Sequence, residues 1–174
     1  MPSEKTMSRK VARWLKSAKG LAAREISLGG SRFDVVAYDK KNRVFKIVEC
    51  KLATRPVSIG KTFGQLASYS GTLSKRGYDF VNAASKRLAR MSFNTWMEAT
   101  HGGKYIRVET FVALREKALK DVEFLREIRK YLPYVGIIRY CRNGDCRKSI
   151  WIDGKRDYDL PKAKTRKIKL RKSE

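Results

Sequence analysis

The clearest alternation of apolar and polar positions falls between residues 20 and 52. "LAAREISL" (21–28), "RFDVVAYD" (32–39) and "RVFKIVECKL" (43–52) are rich in Val, Ile, Phe and Tyr and predict three strands. Gly29-Gly30 separates the first two, and polar residues 40–42 separate the second and third. Ahead of them, "TMSRKVARWLKSAK" (6–19) sets Val11, Trp14, Leu15 and Ala18 at helical spacing, with Gly20 as a stop. Pro56 opens a helix through residues 58–77, with Ile59, Phe63, Leu66, Tyr69 and Leu73 on one side. Residues 78–100 read as irregular helix and 104–115 as a strand. "EKALKDVEFLREIRKYL" (116–132) spaces Ala118, Val122, Leu125, Ile128 and Leu132 along one helix face and ends at Pro133. "YVGIIRY" and "KSIWIDG" predict a C-terminal β-hairpin turning at Asn143-Gly144. "PKAKTRKIKLRKSE" (161–174) holds seven basic residues and one acid, and predicts a disordered tail. No internal repeat is visible. The order predicts one α/β domain over 1–160, a central mixed β-sheet flanked by helices, followed by the basic tail over 161–174.

Two carboxylates interrupt the most apolar strands. Closing the hairpin symmetrically about residues 41/42 sets Tyr38 opposite Phe45, Val36 opposite Ile47 and Asp34 opposite Glu49. Cross-strand partners have Cβ atoms about 4.5–5.5 Å apart, so the two acids repel unless a cation lies between them. Mg²⁺ suits such a site, because it takes one or two carboxylates plus waters and phosphate oxygens. Lys51 shares the face of Glu49 and supplies an ammonium for a phosphate or for the attacking water. The plain alternative makes Asp34 a strand-end residue and Glu49–Lys51 a surface ion pair. Cys50 points away from the acids by alternation and reads as a small buried hydrophobe. Tyr69 and the tryptophans read first as packing residues.

Asp34, the "ECK" of residues 49–51, and "GQLASY" (64–69) on the next helix together resemble the PD-(D/E)XK nuclease superfamily. The resemblance covers about residues 21–70, and Phe33 stands where the family pattern has Pro. It implies a restriction-endonuclease-like core, with Asp34 and Glu49 holding Mg²⁺ (Mn²⁺ substituting), Lys51 serving the water and Gln65 assisting. Glu25 is the nearest match for a further metal-binding acid. The implied activity is hydrolysis of DNA phosphodiesters, most simply by an endonuclease on duplex or branched DNA. A homodimer facing two strands is expected.

Charge widens this picture. The chain has 174 residues with 41 Lys+Arg against 17 Asp+Glu, a formal net charge of +24. Such an excess repels itself and is tolerated where a polyanion is the partner. Arg32, Lys61, Lys75 and Arg76 are the expected DNA contacts, and the tail adds nonspecific grip. No apolar run approaches membrane-spanning length and no signal-peptide core is visible, so a membrane partner is not expected and the chain reads as intracellular, cytoplasmic or nucleoid-associated. Nothing points to a small-molecule substrate. Three cysteines exclude a secreted disulfide framework, although Cys141 and Cys146 flank one turn. Zinc at that turn would need further Cys or His ligands, and the single His101 has no partner in sequence, which argues against it. The rival functions are a non-catalytic nucleic-acid-binding protein on the same fold and an RNA-binding module.

Overall fold

A computed structural model describes residues 3–17, 20–52, 56–88, 91–115, 122–140, 146–147, 149–152, 155–159 and 162–171. Helix α1 (Glu4–Ser17) leads into strands β1 (Gly20–Leu28), β2 (Ser31–Asp39) and β3 (Val44–Lys51), an antiparallel meander. Helix α2 (Pro56–Arg87) and the short α3 (Phe93–Ala99) carry the chain to β4 (Tyr105–Arg115), which pairs parallel with β3. Helix α4 (Val122–Tyr131) then returns it to β5 (Val135–Tyr140), parallel to β4. The result is an α/β fold around an open mixed sheet in the order β1-β2-β3-β4-β5-β6, where β6 is Cys146–Arg147.

Each face of the sheet buries its own core. On one side α1 lays Met7, Val11, Ala12 and Leu15 over Val35, Ala37, Val48, Cys50, Phe111 and Ala113. On the other, Leu66, Tyr69, Leu73, Phe80 and Val81 of α2 cover Phe33, Val36, Phe45, Ile47 and Val108. α2 breaks at Arg76 (φ −129°, ψ 35°), next to Gly77, where any Cβ would lie only 3.2 Å from Leu170. The strand alternation expected for β2 and β3 is therefore present, and α1, β1 and β4 fall within two residues of their predicted spans.

Two C-terminal expectations change. Residues 166–169, read as part of a disordered tail, form strand β9 (Arg166–Lys169), antiparallel to the first half of β4. β5 takes the second half of β4, so β9 fills the stretch that β5 leaves open. Ile168 and Leu170 are buried against the α2-side core, which anchors the segment despite its charge. The 134–140/148–154 hairpin is also altered. Arg139 and Tyr140 pair with Arg147 and Cys146, whereas β7 (Ser149–Ile152) pairs with β8 (Lys155–Asp159) in a separate two-stranded sheet. The Asn143-Gly144 turn, Cys141, and Ala118 of the expected 116–132 helix lie outside the described residues. Among the described residues, no helix is long and apolar enough to cross a membrane.

Candidate active site

The β2–β3 hairpin closes over turn residues 40–43 with Tyr38 opposite Phe45 and Val36 opposite Ile47. Asp39 sets this turn by accepting both the backbone N–H of Asn42 (3.1 Å) and its side-chain amide (2.8 Å). The pairing ends at Val35↔Val48, one step short of Asp34 and Glu49. The neighbouring β1–β2 ladder skips the same row, passing from Arg24↔Val35 to Ile26↔Phe33. Glu25, opposite Asp34 in that row, sits in the left-handed region (φ 55°). Ala23 and Ile26 both face the α2-side core, as do Val36 and Phe33, so each strand switches faces here.

This break shapes the site. Beyond Val35, β2 no longer pairs with β3, and the backbone N–H of Cys50, aimed toward β2, is taken by Asp34 Oδ2 at 2.9 Å. Asp34 is thereby fixed beside Glu49 by main chain, a stronger restraint than side-chain opposition alone. Glu49 is fully buried, and its Oε1 lies 2.7 Å from Lys51 Nζ. Its Oε2 is in close hydrogen-bond contact with Tyr69 Oη, which also lies 2.7 Å from the Arg32 carbonyl. Burial and the adjacent Asp34 charge push the Glu49 carboxyl above its usual range, with the Lys51 and Tyr69 hydrogen bonds opposing. Lys51 moves the other way from its burial: desolvation would lower it, but Glu49's hydrogen bond and charge raise it further. It is an ammonium at neutral pH. The Tyr69 phenol is pushed far up by burial and by Glu49.

The fold thus brings Asp34, Glu49 and Lys51 together and adds Tyr69, which reads from sequence mainly as a packing residue. The signal was present in its spacing four residues after Gln65, one helical turn along α2. Gln65 has a buried Oε1 with no hydrogen-bond partner among the described residues. Glu25, the further acid expected at the metal, has its Oε1 ion-paired with Arg32 (3.3 Å) and Arg24 (3.8 Å). Arg32 is in turn occupied with Glu25, and Arg76 with Asp79 at 2.9 Å, while Lys61 and Lys75 are exposed on α2. An open groove of about 610 Å³ runs past Glu25, Ser27, Arg76, Asp79 and Arg87. Asp34, Glu49 and Lys51 do not line it, so its size carries no weight for the chemistry.

Among the described residues, no group of three or more His, Cys, Asp and Glu side chains is disposed to hold a metal. Mg²⁺ needs fewer, since two hard carboxylates with waters and phosphate oxygens complete its shell. The donor set fits on that basis. A buried carboxylate beside a second one, with one ammonium against it, is short of positive charge, and Asp34 and Glu49 are the residues that would hold a divalent cation. The chain matches no protein family, no curated protein and no solved structure, so the site is read from its own geometry.

Proposed function

We propose that the protein is a metal-dependent deoxyribonuclease, an endonuclease built around Asp34, Glu49 and Lys51 on a restriction-endonuclease-like core. The observation that carries this reading is the break in the ladder. It holds Asp34 by the Cys50 N–H beside a fully buried Glu49, with Lys51 Nζ 2.7 Å away. When bound, a divalent cation supplies Lewis-acid polarisation of the phosphate and an acidified water. The chain's own groups do the rest. Lys51, held as an ammonium, places and neutralises the scissile phosphate instead of removing a proton. Tyr69 orients Glu49 through its hydroxyl, and the carbonyl of Arg32 holds that hydroxyl in place. Gln65, one turn ahead of Tyr69, brings a buried amide oxygen with no hydrogen-bond partner among the described residues to the water or the DNA. The +24 charge supplies attraction for the substrate.

One observation favours a second reading, a non-catalytic nucleic-acid-binding protein: the buried Glu49 is already in a close ion pair with the half-buried Lys51. Cleavage of plasmid, branched and single-stranded DNA with Mg²⁺ or Mn²⁺ separates the two. Asp34→Asn and Glu49→Gln keep the shape and remove the charge. Each is expected to slow cleavage about 10²- to 10³-fold, the worth of several kcal/mol of charge stabilisation. Variants that cut as fast as wild type would end the nuclease reading. Undiminished DNA binding without any cutting would favour the second, and preference for RNA in competition would point to an RNA-binding module.

A further inference from the structure

α1 covers only part of its face of the sheet, and the uncovered part is basic. On β4, alternation places Tyr105 and Arg107 on the same face as Phe111 and Ala113, which α1's core includes. The β9 register sets Lys169 against Tyr105 and Lys167 against Arg107, so both lysines share that face, while Ile168 and Leu170 enter the opposite core. At the same end of the sheet, the β2–β3 turn exposes Lys40 and Lys41, and Arg107 Nη1 donates to the Asn42 carbonyl at 2.9 Å. Lys104, in the turn just before β4, is exposed at this same end of the sheet. The nearby acids are engaged: Asp39 with Lys46 at 3.3 Å, and Glu109 with Thr165 Oγ1 at 2.9 Å. Among the described residues, Lys40, Lys41, Lys104, Lys167 and Lys169 form no ion pair.

We propose that this face is a second nucleic-acid contact, which takes the sugar-phosphate backbone of a DNA duplex at the opposite end of the sheet from the acids. Glu49 lies beside Val112 and Lys169 beside Tyr105, a separation of about 20 Å at the usual strand rise. The proposal rests on nucleic acid being the partner and not on cleavage. Ammonium groups held on paired strands lose less conformational freedom on binding than those of a loose tail, so each contact retains more of its energy. Base stacking is disfavoured, because the Tyr105 ring already carries His101 (centroids 4.2 Å apart, 19° tilt) and Lys167 Nζ at 5.0 Å. An anionic lipid surface fits less well: among the described residues, the large exposed apolar side chains, Phe93 and Tyr131, lie on α3 and α4 and not on this face.

The test measures binding of the full chain to a short labelled DNA duplex by fluorescence anisotropy, in EDTA, across a NaCl series. One variant carries Lys104→Gln, Lys167→Gln and Lys169→Gln. A second removes the same charge from α1 through Lys5→Gln, Arg9→Gln and Arg13→Gln. The first is expected to lower the slope of log affinity against log salt by about 3, at roughly 0.9 per phosphate contact, and the second by less than about 1. Melting temperature checks the fold of each, and the corresponding Lys→Arg triple should restore the slope. If the glutamine triple does not fold, single Lys167→Gln should still lower the slope by about 1. Equal slopes for the two triples overturn the proposal, as does a triple that loses binding to phosphatidylserine vesicles but keeps the duplex. Wild-type cleavage with Mg²⁺ is scored separately: its absence with these slopes intact defeats the nuclease reading alone.

Discussion

At Glu49 the deciding quantity is a proton. Tyr69 has one to donate, yet its Oη is bonded both to Glu49 Oε2 and to the Arg32 carbonyl, which only accepts. That single proton is shared between two acceptors, so the Glu49 carboxylate is only partly satisfied by it. Burial and the Asp34 charge favour the neutral carboxyl, while the Lys51 and Tyr69 hydrogen bonds favour the ionised one, and the net shift is upward. Because the folded value lies above the unfolded one, Glu49's stabilising contribution is complete below the ordinary carboxyl range and is lost as pH rises through the folded value. The melting temperature of wild type relative to Glu49→Gln should therefore fall across that window and level off above it. A pH-independent difference would remove the buried-carboxylate account. Tyr69→Phe deletes a hydrogen bond that favours ionised Glu49, so the acid limb of the cleavage pH profile should move to higher pH. A limb that stays in place would mean Tyr69 only packs. The acids and Lys51 were legible in sequence, because a hairpin register needs only a turn position and a period of two. The Asp34–Cys50 bond was not. It depends on the ladder ending after Val35, in the row where Glu25 takes a left-handed conformation that its residue type does not announce.

Among the elements, β9 shows how composition can hide a strand. Its "RKIK" has one apolar residue, and its partner β4 lies some sixty positions upstream, so no local period marks it. Burial decides the matter: Ile168 and Leu170 are enclosed, and Arg166 packs over the Tyr134 ring at 3.9 Å while donating to Ser70 Oγ at 3.0 Å. Ile168→Ala should cost about 2–4 kcal/mol in urea unfolding, as for other buried aliphatic truncations. A loss near zero would return the segment to a solvated arm. The chain leading into β9 also crosses close to β5. A Cβ on Gly136 would fall 2.5 Å from the Ala163 nitrogen and 2.8 Å from Phe111 Cδ1. Gly136→Ala is therefore expected to destabilise by about 1–3 kcal/mol, through overpacking against backbone that cannot rotate away. β2 and β3, by contrast, were legible because both their faces are buried locally and their turn residues are adjacent in sequence.

For the molecule as a whole, charge is unevenly placed. The buried Glu49 and the half-buried Asp34 lie at one end of the central strands, while exposed lysines that form no ion pair among the described residues crowd the other. With a net charge of +24, the folded chain repels itself, and the repulsion shrinks as the Debye length falls from about 30 Å in 0.01 M salt to about 8 Å at 0.15 M. NaCl should thus raise the melting temperature, by roughly 2–4 °C for each kcal/mol of repulsion relieved at this size. That gain comes from the whole surface and should be nearly equal in wild type and Asp34→Asn. Mg²⁺ at matched ionic strength adds a separate increment if it binds between Asp34 and Glu49, because a ligand selective for the folded state stabilises it by mass action. At one hundred times its dissociation constant the increment is about 2.7 kcal/mol. Asp34→Asn should lose that increment while keeping the NaCl response, since it retains the oxygen facing the Cys50 N–H and removes only the charge. Equal Mg²⁺ and NaCl responses in wild type would mean that Lys51 alone balances Asp34 and Glu49, and the site would then be a structural pair.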